Sequence, residues 1–143
     1  MSNEGPDTFS PYDVVGNLIH GEKTDWPDRI KMILEKGTDS TFVPYDRLAM
    51  YQESVGKTLD QLLDEFEQLR LDNMRWLRSL NISDSDLDKL GVHPKFGVVT
   101  LRQLLSTWTI HDLTHLSKVT RVMAKQYKEE MGPWLEYFRI MQF

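Results

Sequence analysis

The sequence predicts an all-α fold, a bundle of long helices, and three observations predict it. Apolar residues recur at three- and four-residue spacing through most of the 143 positions. Residues that start and stop helices bracket those stretches. The period-two alternation of a half-buried strand is missing, apart from a weakly extended reading of residues 97–101.

The first helix begins near Pro11. Ser10 supplies an N-cap, Pro11 a first helical position and Asp13 an acid at the third. Its apolar arc is Val14, Val15, Leu18, Ile19, Trp26, Ile30 and Ile33, with Pro27 expected to kink or restart it and Gly37 to end it. Residues 38–44 read as a loop. From residue 45 the positions Leu48, Tyr51, Val55, Leu59, Leu62, Phe66, Leu69, Trp76 and Leu80 repeat with helical spacing, predicting one helix of about ten turns. Residues 81–97 hold Pro94, two glycines and an acidic run, and read as a loop with one short helical turn. Thr100-Leu101-Arg102-Gln103 is a capping box that opens the next helix. Its stripe is Leu101, Leu104, Trp108, His111, His115, Val119, Val122 and Gln126, and Gly132-Pro133 is expected to end it. The aromatic residues 134–140 are expected to form a short helix packed on the body. The length fits one domain over residues 1–143, with residues 1–9 as a tail and 132–143 as a C-terminal segment.

Composition excludes several function classes. Seventeen Lys plus Arg against 22 Asp plus Glu give a net charge of −5, and no basic block offers a footprint for nucleic acid. No apolar run is long enough to span a bilayer. The acidic, polar start lacks the pattern of a secretory signal, so the expected location is the cytoplasm. Cysteine is absent, so any metal must be held by nitrogen and oxygen donors.

His111 and His115 are the strongest functional signal. They stand one turn apart on the stripe that faces the interior, a spacing that lets both imidazoles reach one ion. The plain alternative is a pair of hydrogen-bonded core histidines. The sequence is not His-Glu-x-x-His, so the glutamate base of zinc proteases is missing. A third donor must come from another helix, and the first helix offers Asn17, His20 and Glu22. Glu22 falls within that helix's apolar arc, as a carboxylate ligand or the partner of a buried arginine, whereas His20 reads more plainly as a surface histidine. His93 lies in the long loop and reads as a solvated histidine or one at the mouth of a pocket, and Arg121, two turns past His115, is a solvated charge or an anion holder.

The run Ser10-Pro11-Tyr12-Asp13-Val14-Val15-Gly16-Asn17-Leu18-Ile19-His20-Gly21-Glu22-Lys23-Thr24-Asp25-Trp26, the later Trp108-Thr109-Ile110-His111-Asp112-Leu113-Thr114-His115, and Gly132-Pro133-Trp134 resemble the DinB-like family of bacterial four-helix-bundle proteins. The resemblance covers nearly the whole chain. It implies an up-down-down-up bundle and a divalent metal, nickel or zinc, held by three histidines, of which His111 and His115 match two. The early histidine would fall at Asn17, whose amide oxygen is a poor ligand for either metal. His20, three residues on, would substitute if the backbone shifted; otherwise metal binding is weak or lost. The family also carries a further helix before Phe9, where this chain has eight residues. A bundle without its usual first helix exposes an apolar groove, and the resemblance implies a homodimer.

These readings point to a metal-binding protein of the DinB-like type, with thiol S-transfer or hydrolysis as the reaction if it is an enzyme. The partners would be a thiol or other small molecule, not nucleic acid or membrane. The alternative is a non-catalytic structural or interaction protein with a degenerate metal site.

Overall fold

The computed structural model describes residues 1–142. The fold is mostly helical, with one small sheet. Helix α1 (Pro11–Thr24) opens on a full capping box between Ser10 and Asp13. It breaks at Asp25, and α2 (Trp26–Lys36) restarts with a proline in its first turn and ends at Gly37, whose φ of 56° suits glycine.

The predicted ten-turn helix after residue 45 is two helices joined by a turn. Short α3 (Ala49–Glu53) is followed by a turn through Gly56 at φ 77°, and α4 (Leu59–Ser79) then starts on a second capping box, Thr58 with Gln61. That box satisfies backbone donors that a continuous helix would have paired internally, so the chain turns although the apolar period runs on. As a result Leu48 and Val55, expected on the buried stripe, are 70% and 76% exposed.

Residues 81–97, read as a loop, contain a 3-10 turn at Asp86–Asp88 and then strand β1 (Leu90–His93). It pairs antiparallel with β2 (Gly97–Thr100), the stretch read as weakly extended. The hairpin turn closes through Gly97 at φ 74°. Gly91 permits it to pack, since a Cβ there would come within 2.7 Å of Ile33 and 2.8 Å of Phe42.

Helix α5 (Leu101–Lys125) starts on the predicted Thr100–Gln103 box. It ends before Gly132, where Gln126 N–H donates to the Met123 carbonyl at 3.2 Å and tightens the last turn. One turn of helix, α6 (Lys128–Met131), follows. The aromatic C-terminal segment is a pair of 3-10 turns, Gly132–Tyr137 and Arg139–Met141, not an α-helix, with Met141 buried.

Two apolar clusters hold these elements. Val15 and Ile19 of α1 meet Leu62 of α4, with Phe66 and Leu69 beside them. Trp26, Ile30 and Ile33 of α2 pack with Phe42 and with Leu101, Leu104 and Trp108 of α5. Between them Arg70 of α4 ties three helices together. It pairs with Glu22 of α1, makes two bonds to Asp112 of α5 at 2.9 and 3.0 Å, and lies over the rings of Phe66 and Trp108. No helix among the described residues is long and apolar enough to cross a membrane.

Candidate functional site

Helix α5 presents Leu104, Trp108, His111 and His115 on one side by their three- and four-residue spacing. Leu104 and Trp108 enter the core, and the next two turns carry the histidines to the wall of a cleft of about 700 Å³. Asn17 of α1 lines the same cleft, as do Tyr45, Asp25 and the hairpin residue His93.

The two imidazoles meet at Nε2, 3.1 Å apart. Two nitrogens that close share one proton when both rings are neutral, so one ring donates and the other accepts. Trp26 packs edge-on against His111 at 5.2 Å, and Phe9 stacks on His115 at 6.2 Å. Burial among these rings lowers the pKa of both histidines, that of His115 to about 4, with the neighbouring His111 and Lys118 acting in the same direction. Both are therefore neutral near pH 7, the form that binds metal. Neither Nδ1 has a hydrogen-bond partner among the described residues.

Asn17 is buried, its Nδ2 donating to the Tyr45 hydroxyl at 3.1 Å while Oδ1 is unpartnered. The Tyr45 hydroxyl donates in turn to the Asn17 carbonyl at 3.3 Å. Asp25 lies 2.9 Å from Arg29 Nε, and burial raises its pKa despite that cation.

The other sequence candidates lie elsewhere. His20 is buried, not a surface residue, but both its nitrogens are engaged, Nδ1 with Glu53 at 3.1 Å and Nε2 with Thr24 at 3.3 Å. It does not line the cleft. Glu22 is the partner of a buried arginine, Arg70. Arg121 is tied to Glu4 and to the Gln142 carbonyl. Thus the structure brings Asn17, His111 and His115 to one cleft and leaves His20 and Glu22 outside it. Sequence reasoning missed Tyr45, Asp25 and Lys118, and only Lys118, one turn past His115, carried a signal in its spacing.

The donor set fits a divalent ion in part. Two imidazole nitrogens 3.1 Å apart are close enough for both to reach one ion at the usual nitrogen distance of about 2.0–2.1 Å. No cluster of three His, Cys, Asp or Glu side chains among the described residues shares one point, so the third protein donor would be the Asn17 amide oxygen. No protein-family model matches the chain, and no curated protein is significantly similar to it.

Proposed function

We propose that this is a metal-binding protein of the DinB-like type, with one divalent ion, nickel or zinc, held by His111 and His115 and assisted by Asn17. The observation that carries the reading is the pair of neutral imidazoles, His115 buried and His111 half-buried, whose Nε2 atoms stand 3.1 Å apart on a cleft wall. An ion held there supplies Lewis acidity that lets a thiol or water lose its proton near neutral pH. The chain's own residues do the rest. Phe9 and Trp26 fix the ring planes, Tyr45 orients the Asn17 amide, and the cleft admits a small molecule, so thiol transfer or hydrolysis is the reaction class. An amide oxygen in place of a third imidazole makes a weak site for these metals.

The homodimer is part of the proposal. Leu71 on α4 and Leu113 and Leu116 on α5 are 45%, 55% and 60% exposed, and sedimentation velocity at micromolar concentration tests whether they are covered.

The test of the site is calorimetric titration with nickel and with zinc. One equivalent is expected to bind, with binding lost in His115→Ala and in His111→Ala. Asn17→His is expected to tighten nickel binding at least tenfold by completing a three-imidazole set. Failure of the native chain and of Asn17→His to bind either metal would overturn the proposal and favour a structural histidine pair.

A further inference from the structure

We infer that the ligand of this cleft is a small anion, a molecule carrying a carboxylate or phosphate group, held by a wall of cations beside the histidine pair. The inference rests on the reading of that cleft as the place where the protein binds its ligand, and names the chemistry that would enter.

Four cationic side chains line the cleft, each from a different segment: Arg29 of α2, Arg47 before α3, Lys95 of the hairpin turn and Lys118 of α5. Asp25 is the one carboxylate among the described residues that line the cleft, and Arg29 already takes it. Arg47, Lys95 and Lys118 have no carboxylate partner among the described residues. This excess of positive charge gathers in a chain whose net charge is −5, so it runs against the average composition.

Three of the four are braced in place. Lys118 sits over the ring of Phe9 at 4.9 Å, and that ring stacks on His115, so its ammonium is kept beside the pair. Lys95 rides on a turn whose shape His93 fixes, because the amides of Lys95 and Phe96 both donate to His93 Nδ1, at 3.0 and 3.1 Å. Arg29 is held between Asp25 and the ring of Phe42 at 5.2 Å. Like charges brought round one concavity repel each other and concentrate the field that draws an anion in. A cationic ligand would be repelled, and a neutral one would leave those charges uncompensated. The volume of about 700 Å³ is that of a small-molecule site.

The experiment uses the full chain, metal-free, with succinate, inorganic phosphate and neutral succinamide as probes, followed by amide shifts in NMR titrations. Succinate or phosphate is expected to bind saturably and to shift the amides of residues 47, 95 and 118, whereas succinamide does not. Arg47→Gln and Lys118→Gln, both at accessible positions, should each weaken the anion about fivefold, the effect of one charge a few ångströms away in water. Nickel binding without anion binding, succinamide binding as well as succinate, or anion affinity unmoved by Arg47→Gln and Lys118→Gln would each overturn the inference. Anion binding without nickel binding would sink the metal proposal and leave this one standing. The stronger of the two anions identifies the group, carboxylate or phosphate, that the natural ligand carries.

Discussion

Replacing Arg70 with methionine tests whether one guanidinium clamps α1, α4 and α5. Methionine keeps an apolar stem over Phe66 and Trp108 but leaves Glu22, only 2% exposed, without its cation. A buried carboxylate in that position takes up a proton rather than stay charged. Protonating an acid of ordinary pKa 4.5 at pH 7 costs about 3.4 kcal/mol at 1.36 kcal/mol per unit, which sets a ceiling. Burial already raises Glu22 in the native protein, outweighing Arg70, so part of that cost is present before the substitution. The expected loss from Glu22 at pH 7 is therefore about 2–3 kcal/mol, and the half-exposed pair with Asp112 adds less than about 1 kcal/mol. The sign follows from the raised pKa. Glu22's contribution is complete below pH 4.5 and declines as pH rises through its folded value, and without Arg70 that decline extends further upward. At pH 5 the ceiling is only about 0.7 kcal/mol. Urea unfolding at pH 5, 6 and 7, followed by tryptophan fluorescence, gives the three differences. The double variant Glu22→Gln/Arg70→Met should recover most of the loss at pH 7. A loss independent of pH, or a double variant no more stable than Arg70→Met, would refute the reasoning.

Two further substitutions probe the frame around the cleft. Gly91→Ala drives a methyl group against Ile33 and Phe42 and should lower stability by about 1–3 kcal/mol, read as a fall in Tm. A melting temperature unchanged within 1–2 °C, well inside the shift such a loss implies, would show that the hairpin is not seated tightly on α2. Glu65 accepts from Lys23 at 2.7 Å and Lys57 at 2.9 Å, bonds that lower its pKa. Its contribution is present above the ordinary value of 4.5 and is lost as pH falls through the folded one, so Glu65→Gln should cost about 0.5–1 kcal/mol at pH 7 and nothing near pH 3. An equal cost at both pH values would mean that packing, not charge, is what the substitution removes.

Helix starts were legible because their chemistry is local. Ser10–Asp13 and Thr100–Gln103 are read from four consecutive residues, and both boxes form. Thr58–Gln61 is the same signal, but it lies inside an unbroken apolar period, which hid the break between α3 and α4. The hairpin was hidden for a different reason. Leu90, Gly91, Val92 and His93 do not alternate, and β1 is held by Gly91 against α2 and by Phe42 N–H donating to the Val92 carbonyl at 2.8 Å, contacts made by residues far away in sequence. At the site the i, i+4 histidines were readable, whereas His20 shows the limit of angular reasoning. It is held inward by the Tyr45 ring and by Glu53 of α3, an element the pattern had merged into a longer helix.

The distribution of unsatisfied groups bears on what the cleft is for. Asn17 Oδ1 on α1 and His111 Nδ1 and His115 Nδ1 on α5, all on residues that line the cleft, are buried without hydrogen-bond partners among the described residues, as are Glu22 Oε2 and Trp108 Nε1 outside it. Each such atom costs about 1–3 kcal/mol, and three of them belong to the cleft wall. A helix pair selected for packing alone would place leucine at 111 and 115, where burial is favourable and nothing needs a partner. The chain instead keeps two neutral imidazoles in contact, between Trp26 and Phe9, and rings the opening with cations. Stability is recovered away from this wall, in three complete capping boxes and in the Arg70 clamp one helical step from His111. Polar cost gathered at one cleft and compensated elsewhere is the pattern expected of a site that binds something, because a ligand satisfies in the bound state what the free fold leaves open.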